Sequence, residues 1–233
     1  SLKNKSIYDL ADSRTVITPI GQFETIELPS EMRPIMPDDT WAVDYLKERG
    51  FHYRDYDFRI TPLSVGRYRR RIIIPYMYND TVVGWTSRFL DALLPKYKNE
   101  NQQEGYVFGL NMQQDDWEFL IVTEGIFDSI SISGVALMHN QINSKQEALL
   151  RRQGKIIVVV GDADKAGVKL MEEALDMRFE ISVPDWGDGI KDINEAVGTY
   201  GRLGVLAKIL ATRTANKIKG KMAINILKRK LKK

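Results

Sequence analysis

The chain has 233 residues, of which 43% are hydrophobic and 28% charged, a composition typical of one large or two small globular domains. It has no cysteine and only two histidines, which excludes disulfides and thiolate zinc sites and argues against a histidine-rich metal site. No apolar run approaches the roughly 18 residues that a membrane-spanning helix needs, and no signal peptide is recognisable, so a cytoplasmic protein without membrane contact is expected.

The net charge of +3 hides a segregated basic tail. The last acid is Glu195, whereas residues 202–233 carry 11 of the 34 Lys and Arg residues. Apolar residues recur at helical spacing near the end of the tail, which predicts a basic amphipathic helix after a break at Gly220. Such a segment attracts a phosphate-rich partner, and a solvated surface helix is the alternative.

The first part of the chain is expected to hold a linker followed by a helix. Residues 1–37 contain four prolines that interrupt any regular pattern, which indicates a leading linker segment. DDTWAVDYLKERGF (38–51) has apolar residues suited to one helix face. Asp38 or Asp39 can serve as its N-cap, and Gly50 is its stop signal.

A β-hairpin is predicted next in the chain. RRIIIPYMYNDTVVGWTSRFL (70–90) has two β-rich runs on either side of the turn residues Asn79–Asp80. The stretch YVFGL (106–110) is typical of a short strand or a turn.

From residue 118 onward, apolar runs alternate with helical stretches. The predicted strands are 118–124, 135–139, 155–161 and 180–184. The predicted helices are 125–133, 144–153 with Ser144 as its cap, 165–178 and one that begins at 193. Continuous Val/Ile-rich strands bridged by helices predict an α/β domain with a parallel-type sheet covered on both faces.

Acidic residues follow two of these strands directly. Glu124 ends the first strand, and Asp162 and Asp164 follow the third. Since ligands of open α/β sheets bind at the carboxyl ends of strands, the three acids converge if the strands are neighbours. Two carboxylates about 5 Å apart repel by about 3 kcal/mol, so a cation or a shared proton is needed. Oxygen ligands without Cys or His select Mg²⁺ or Mn²⁺.

The residues around these acids fit the same purpose. Gly125 permits a close backbone approach to a metal or phosphate, and Gly161 and Gly167 bracket a tight turn from strand to helix. A third acidic segment, GDGIKDINEA (187–196), follows the last strand. The alternative for any single acid at a strand end is a helix cap, which is the more common role.

Three blocks of the second half resemble the signature blocks of the Toprim domain, which bacterial-type primases, topoisomerases and some nucleases share. These blocks are VTEGIFDSISI (122–132), VVVGDADKAG (158–167) and KDINEA (191–196). The resemblance implies a Toprim-type, Rossmann-like domain built on a parallel sheet.

Three upstream blocks resemble the segment that precedes Toprim in DnaG-type primases, with phage primases as the nearest arrangement. They are the 70–90 hairpin, PKYKN (95–99) and YVFGLN (106–111). The resemblance covers roughly 40–200. It implies a smaller α+β primase subdomain over 38–115, the Toprim domain over 116–200, and a basic C-terminal helical segment over 201–233.

The resemblance also implies roles for individual residues. Glu124 matches the metal ligand or general base, Asp162 and Asp164 match the metal-binding pair, and Asp192 matches a further acid of the third block. Asp128 matches the second acid of an E-G-x-x-D pattern, and a supporting or surface carboxylate is an equal alternative for it. The positions expected to contact template or nucleotide are Arg88, Lys96, Asn99, Lys165 and Lys191.

A basic cluster stands at the start of the hairpin. Arg67, Arg69, Arg70 and Arg71 surround Tyr68, and cations interleaved with an aromatic ring suit a single-strand groove. Charge that protects an edge strand from aggregation is the alternative.

The resemblance implies a DNA primase core that makes short RNA primers on single-stranded DNA from ribonucleoside triphosphates, with Mg²⁺ or Mn²⁺. The sequence lacks the cysteines of a zinc-binding module and the G-x-x-x-x-G-K-[ST] loop of a fused helicase. A separate zinc-binding module and a replicative helicase are therefore possible partners. Two alternatives stay open: a Toprim nuclease that uses the same acids, and a non-catalytic nucleic-acid-binding scaffold.

Overall fold

The computed structural model describes residues 22–61, 67–90, 95 and 97–231, which form two sheets and six helices. The first sheet is antiparallel and contains β1 (Arg33–Pro34), β2 (Arg59–Ile60), β3 (Arg71–Tyr78), β4 (Thr81–Phe89) and β5 (Tyr97–Glu100) in that order. The second sheet is parallel, in the order β7 (Val135–Ala136), β6 (Phe119–Thr123), β8 (Ile156–Val159) and β9 (Glu180–Ile181). The helices are α1 (Thr40–Glu48), α2 (Ile126–Ile132), α3 (Ser144–Arg151), α4 (Lys165–Asp176), α5 (Ile193–Thr212) and α6 (Lys217–Lys230).

The predicted hairpin is confirmed. β3 and β4 pair along their whole lengths, and Asn79 and Asp80 form the two-residue turn with φ angles of 46° and 61°. Positive φ at both positions gives the turn the twist that the flanking strands require, and Asn and Asp tolerate it better than most residues. The edge strand Arg33–Pro34 lies within the segment expected to be a linker, so this part of the chain belongs to the sheet.

The helix predicted over 38–51 is confirmed as α1, with Asp39 at the N-cap position. The Asp39 side chain does not cap the helix. It accepts a bidentate pair of hydrogen bonds from Arg33, at 2.6 and 2.7 Å, and one from the backbone N–H of Met36. Gly50 has a φ of +79° just after the helix, which is the conformation that favours glycine at a helix end.

The parallel sheet is covered on both faces, as predicted. Leu120 and Val122 point to a core that includes helices α3, α4 and α6. Ile121 and Val158 point to the opposite core, which α5 covers. Because successive side chains of a strand alternate between faces, strands buried on both sides must be apolar throughout.

The two sheets share a third core. Side chains from β3, including Ile72 and Ile74, pack with Leu46 of α1 and with Ile126 and Phe127 of α2. The helix that follows Glu124 therefore also anchors the antiparallel sheet, which brings the first sheet close to the acidic end of the second.

Two predictions about helix ends were wrong. The cap of α3 is Asn143, whose side chain and that of Gln146 form a reciprocal capping box, so Ser144 is the first helical residue. The tail breaks between α5 and α6 at 213–216, whereas Gly220 lies inside α6, where a Cβ would be 2.8 Å from Leu175 Cδ1. None of the described helices combines the length and the apolar character needed to cross a membrane.

Candidate metal and nucleotide site

The sheet order brings the predicted acids together. β6 and β8 are neighbours, and Val122 pairs with Val159, so Glu124 and Asp162 leave the sheet side by side. The backbone N–H of Asp162 donates a hydrogen bond to Glu124 Oε1 at 3.1 Å. The convergence expected from the strand ends is thus present for this pair.

Glycines make the close approach possible. A Cβ on Gly167 would lie 2.2 Å from the Asp162 carbonyl oxygen and 2.8 Å from Glu124 Oε1, and a Cβ on Gly161 would lie 2.4 Å from the Gly167 carbonyl oxygen. A Cβ on Gly125 would lie 2.4 Å from Asp128 Oδ2. Gly161 and Gly167 therefore close the turn as predicted, while Gly125 makes room for the Asp128 carboxylate.

The clustered carboxyl groups raise one another's pKa. Burial raises the pKa of Asp162 to about 8, with further contributions from the charges of Asp128, Glu124, Asp192 and Asp164. Burial raises the pKa of Asp128 to about 7, helped by Asp192 and opposed by the backbone N–H of Asn194. Burial also raises the pKa of Glu124, and the Asp162 N–H opposes that shift. Burial and mutual repulsion therefore disfavour the ionised carboxylates at this site, and a bound cation would stabilise them.

Two of the predicted acids also cap helices. Asp164 Oδ1 accepts a hydrogen bond from the Gly167 N–H at the start of α4, and Asp192 Oδ1 accepts one from the Glu195 N–H at the start of α5. Each cap uses one carboxylate oxygen and leaves the second available. The cap and the metal ligand are thus compatible roles for Asp164 and Asp192.

The donor chemistry fits a hard divalent cation, because the crowded groups are all carboxylates. In the part of the chain that the structure describes, however, no three acid, histidine or cysteine side chains come together as a metal-holding group. The residues therefore supply suitable ligands and charge, and their side chains are not arranged as a closed coordination shell.

An aromatic and cationic cluster from the first sheet and the end of α1 faces this acidic edge. Arg88 is buried, donates from Nε to the Tyr45 hydroxyl at 3.0 Å, and lies 4.7 Å from the ring centre of Tyr97. Arg49 donates to the same hydroxyl at 2.9 Å. The pKa of Tyr97 is raised by burial of its hydroxyl, while the charges of Arg88 and Arg49 oppose the shift and that of Asp128 adds to it. Tyr97 is thus within electrostatic range of the acids.

The arginines at the start of the hairpin occupy different environments. Arg71 is buried and donates to the carbonyl oxygens of Ser87 and Pro95, both at 3.1 Å. Arg67 pairs with Glu100 at 2.7 Å, and Arg69 is exposed. Arg70 is half-buried and has a φ of +55°.

The other residues expected to bind template or nucleotide are dispersed. The Asn99 carboxamide accepts from Thr86 at 2.6 Å and donates to Gln102 at 3.0 Å. Lys165 and Lys191 are exposed beside the acids. Lys96 lies outside the described residues.

Asn194 is a residue at the site that the acid-based pattern did not single out. Its backbone N–H donates to Asp128 Oδ1 at 2.9 Å, and its Nδ2 donates to the Arg49 carbonyl oxygen at 3.0 Å and to Ser131 Oγ at 2.9 Å. It therefore ties the acidic edge of the parallel sheet to the end of α1. The position of Asn194 between two acids in KDINEA could have indicated that it lies at the site. Nothing in the sequence of 38–51 indicated that Tyr45 or Arg49 would lie there.

The chain is similar in sequence to the DNA primase of Clostridium acetobutylicum, with 30% identity over 154 residues. The match covers 58% of this chain and 26% of the relative, so the chain spans about a quarter of that protein's length. No protein-family model matches the chain.

Its fold resembles that of solved primase cores. The DnaG primase catalytic domain bound to single-stranded DNA superposes with a TM-score of 0.64 at 21% identity, over 77% of this chain and 74% of that one. The Escherichia coli primase catalytic core gives 0.61 at 20% identity, over 76% and 74%. The zinc-binding and RNA polymerase domains of Aquifex aeolicus primase give 0.63 at 21% identity, over 74% and 56%.

These similarities confirm the expected mixed α/β architecture, with a parallel sheet and C-terminal helices. The chain is thus similar in sequence to one DNA primase over 154 residues, and similar in fold to solved primase catalytic cores over about three quarters of its length.

Proposed function

We propose that the chain is the RNA polymerase core of a DNA primase, which synthesises short RNA primers on single-stranded DNA from ribonucleoside triphosphates. The observation that carries the proposal is the gathering of acids at one edge of the sheet, where burial and then the charges of Asp128, Glu124, Asp192 and Asp164 raise the pKa of Asp162 to about 8. An edge with these acids suits a divalent cation together with the phosphates that such a cation binds.

In this proposal Glu124, Asp162 and Asp164 would hold Mg²⁺ or Mn²⁺, with Asp192 as a further ligand. The ion would neutralise the charge that develops when a 3′-hydroxyl attacks an α-phosphate. Asp128 is buried and its Oδ1 accepts a hydrogen bond from the backbone N–H of Asn194, which favours a supporting role next to the ligands.

The cluster from the first sheet would hold the nucleic acid and nucleotide. Tyr97 is 39% exposed and its ring lies against the Arg88 guanidinium, an arrangement on which a base can stack. Exposed Lys165 and Lys191 are available for triphosphate oxygens. Arg69 is available for template phosphates, whereas Arg71 would have to give up its bonds to two carbonyl groups.

The functional units would be a primase subdomain over 38–115, a Toprim domain over 116–200 and a helical segment over 201–233. A zinc-binding module on another chain and a replicative helicase would be partners, as parts of a phage-type or bacterial replication system acting in the cytoplasm.

The test is incorporation of labelled ribonucleotides on a single-stranded DNA template with Mg²⁺, with and without an added primase zinc-binding module. We expect short products that Asp162→Asn abolishes and that Asp188→Asn, on an exposed loop position, leaves unchanged. The absence of products at high protein and nucleotide concentration would contradict the proposal. Metal-dependent degradation of the template in place of synthesis would assign the site to a nuclease.

A further inference from the structure

Helix α6 presents an apolar stripe to solvent. Ile218, Met222 and Ile226 follow one another at successive turns and are 73%, 62% and 57% exposed. The opposite face of the helix, with Gly220 and Ile224, is buried against the parallel-sheet core. A contiguous exposed apolar surface of this kind marks an interaction site more often than isolated exposed side chains do.

On its inner side, α6 packs against α4, and lysines of α6 form ion pairs with acids of α4. Lys217 pairs with Asp176 and Lys228 with Glu172, each at 2.6 Å, and both acids belong to α4. The inner face therefore packs on an amphipathic helix whose apolar stripe is bordered by carboxylates. This is the pairing of apolar seam and flanking charges found between helices in coiled coils.

The outer face of α6 also combines apolar and basic residues, but in the described residues no acidic helix packs against it. Residues 217–230 contain six Lys and Arg residues and no acid. Lys219 and Arg229 lie beside the outer stripe, and within the described residues neither has an ion pair with an acid. Cationic flanks around an apolar stripe are complementary to a partner that carries carboxylates around its own stripe.

A cleft next to the stripe provides a place for an anchoring side chain. It has a volume of about 480 Å³ and lies between α6, at Ile226 and Leu227, and the loop that carries Trp186 and Ile190. A large apolar side chain buried in such a pocket is the usual centre of a helix-in-groove contact.

We infer that the outer face of α6 is a docking surface for an amphipathic helix of a partner protein, with Asp or Glu residues on both sides of its apolar stripe. A second copy of this chain is disfavoured because two α6 faces would bring like charges together. Single-stranded nucleic acid is disfavoured because α6 carries no aromatic residue on which bases could stack. The inference does not depend on the proposed polymerase activity.

The probe is a synthetic fluorescent peptide of about 20 residues, designed as a helix with a Leu stripe flanked by Glu, and the readout is fluorescence anisotropy. We expect saturable binding to the whole chain that weakens at least tenfold in the triple variant Ile218→Ser, Met222→Ser, Ile226→Ser. Leu203→Ser is the matched control, since Leu203 is 82% exposed on α5 and outside the stripe. These exposed positions are not core residues, and thermal unfolding checks that the variants fold.

Two control peptides separate the contributions of stripe and charge. A peptide with Ser in place of the Leu stripe and one with Lys in place of the Glu flanks should both fail to bind. Equal binding of either control, or unchanged binding to the triple variant, would overturn the inference. So would two other results: an oligonucleotide that requires the stripe for binding while the peptide does not bind, or self-association that the triple variant abolishes.

Discussion

At the scale of single residues, Asn194 connects two parts of the candidate site. Its side-chain amide donates to the backbone of α1 and to Ser131 of α2, while its own N–H holds the Asp128 carboxylate. These hydrogen bonds, together with the packing of the first sheet on α2, hold the end of α1 next to the acids.

Replacing the side-chain carboxamide of Asn194 should lower the stability of the folded protein. Asn194→Ala removes two hydrogen bonds, so we expect a loss of about 1–3 kcal/mol in the free energy of unfolding, measured by urea denaturation. Asn194→Asp should cost more, because it removes the donors and adds a negative charge beside Asp128. Asn111→Ala, at an exposed position away from these contacts, is a control. A stability of Asn194→Ala within experimental error of the wild type would contradict this assignment.

The crowded acids predict how stability depends on pH. The pKa values of Asp162 and Asp128, about 8 and about 7 in the folded protein, lie well above the value of about 4 in an unfolded chain. The unfolded state therefore releases these protons first as the pH rises. In EDTA, the resulting stabilisation is complete below about pH 4 and is lost as the pH rises towards about 8.

We expect the thermal unfolding midpoint of the metal-free protein to fall between pH 5 and pH 8, and to fall less in Asp162→Asn. Mg²⁺ should restore more stability at pH 8 than at pH 5, because it binds the deprotonated carboxylates. Parallel curves for the wild type and Asp162→Asn would show that the Asp162 carboxyl is not perturbed.

At the scale of elements, the C-terminal helices are part of the folded body. α6 buries Gly220 and Ile224 against α4 and β9, and its lysines pair with acids of α4. The basic tail is therefore partly neutralised by the chain itself, and fewer of its cations remain for phosphates.

The close packing at Gly220 gives a test of this arrangement. A Cβ at this position would lie 2.8 Å from Leu175 Cδ1 and 3.0 Å from Leu175 Cδ2. We expect Gly220→Val to lower the free energy of unfolding by about 1–3 kcal/mol through overpacking. Gly198→Val in α5, where a Cβ has no neighbour within 4 Å, should be neutral or slightly stabilising. Equal effects of the two substitutions would mean that α6 does not pack on α4 in this way.

At the scale of the whole molecule, the arginines that the sequence groups together lie in different environments. Arg69 is exposed, whereas the buried Arg71 donates to the backbone carbonyl groups of Ser87 in β4 and of Pro95. Position relative to the sheet, and not proximity in sequence, decides which of them can reach a phosphate.

This separation predicts different phenotypes in single-stranded DNA binding. If Arg69 contacts a template phosphate, Arg69→Ala should reduce the slope of log affinity against log salt by about 0.7 with unchanged stability. Arg71→Ala should instead lower stability by about 1–3 kcal/mol, because carbonyl groups lose their buried donor. Anisotropy titrations at several salt concentrations and urea denaturation measure the two effects. The opposite pattern would contradict the placement of these side chains.

The sequence alone determined the local elements and the chemistry at their ends. The apolar runs predicted the parallel strands, Asn79–Asp80 predicted the hairpin turn, and Glu124 and Asp162 were recognised because each directly follows a strand. These features depend on residues close together in the chain, where side-chain periodicity and backbone preference act. The resemblance to primases rests on the same local blocks.

Only the tertiary structure decided which distant residues meet. The strand order places Glu124 beside Asp162, and the packing of the first sheet on α2 brings Tyr45, Arg49 and Arg88 toward the acids. Gly220, read as a helix break, is instead a packing position. Such contacts depend on the burial of surfaces far apart in sequence, a cooperative property that no single stretch encodes.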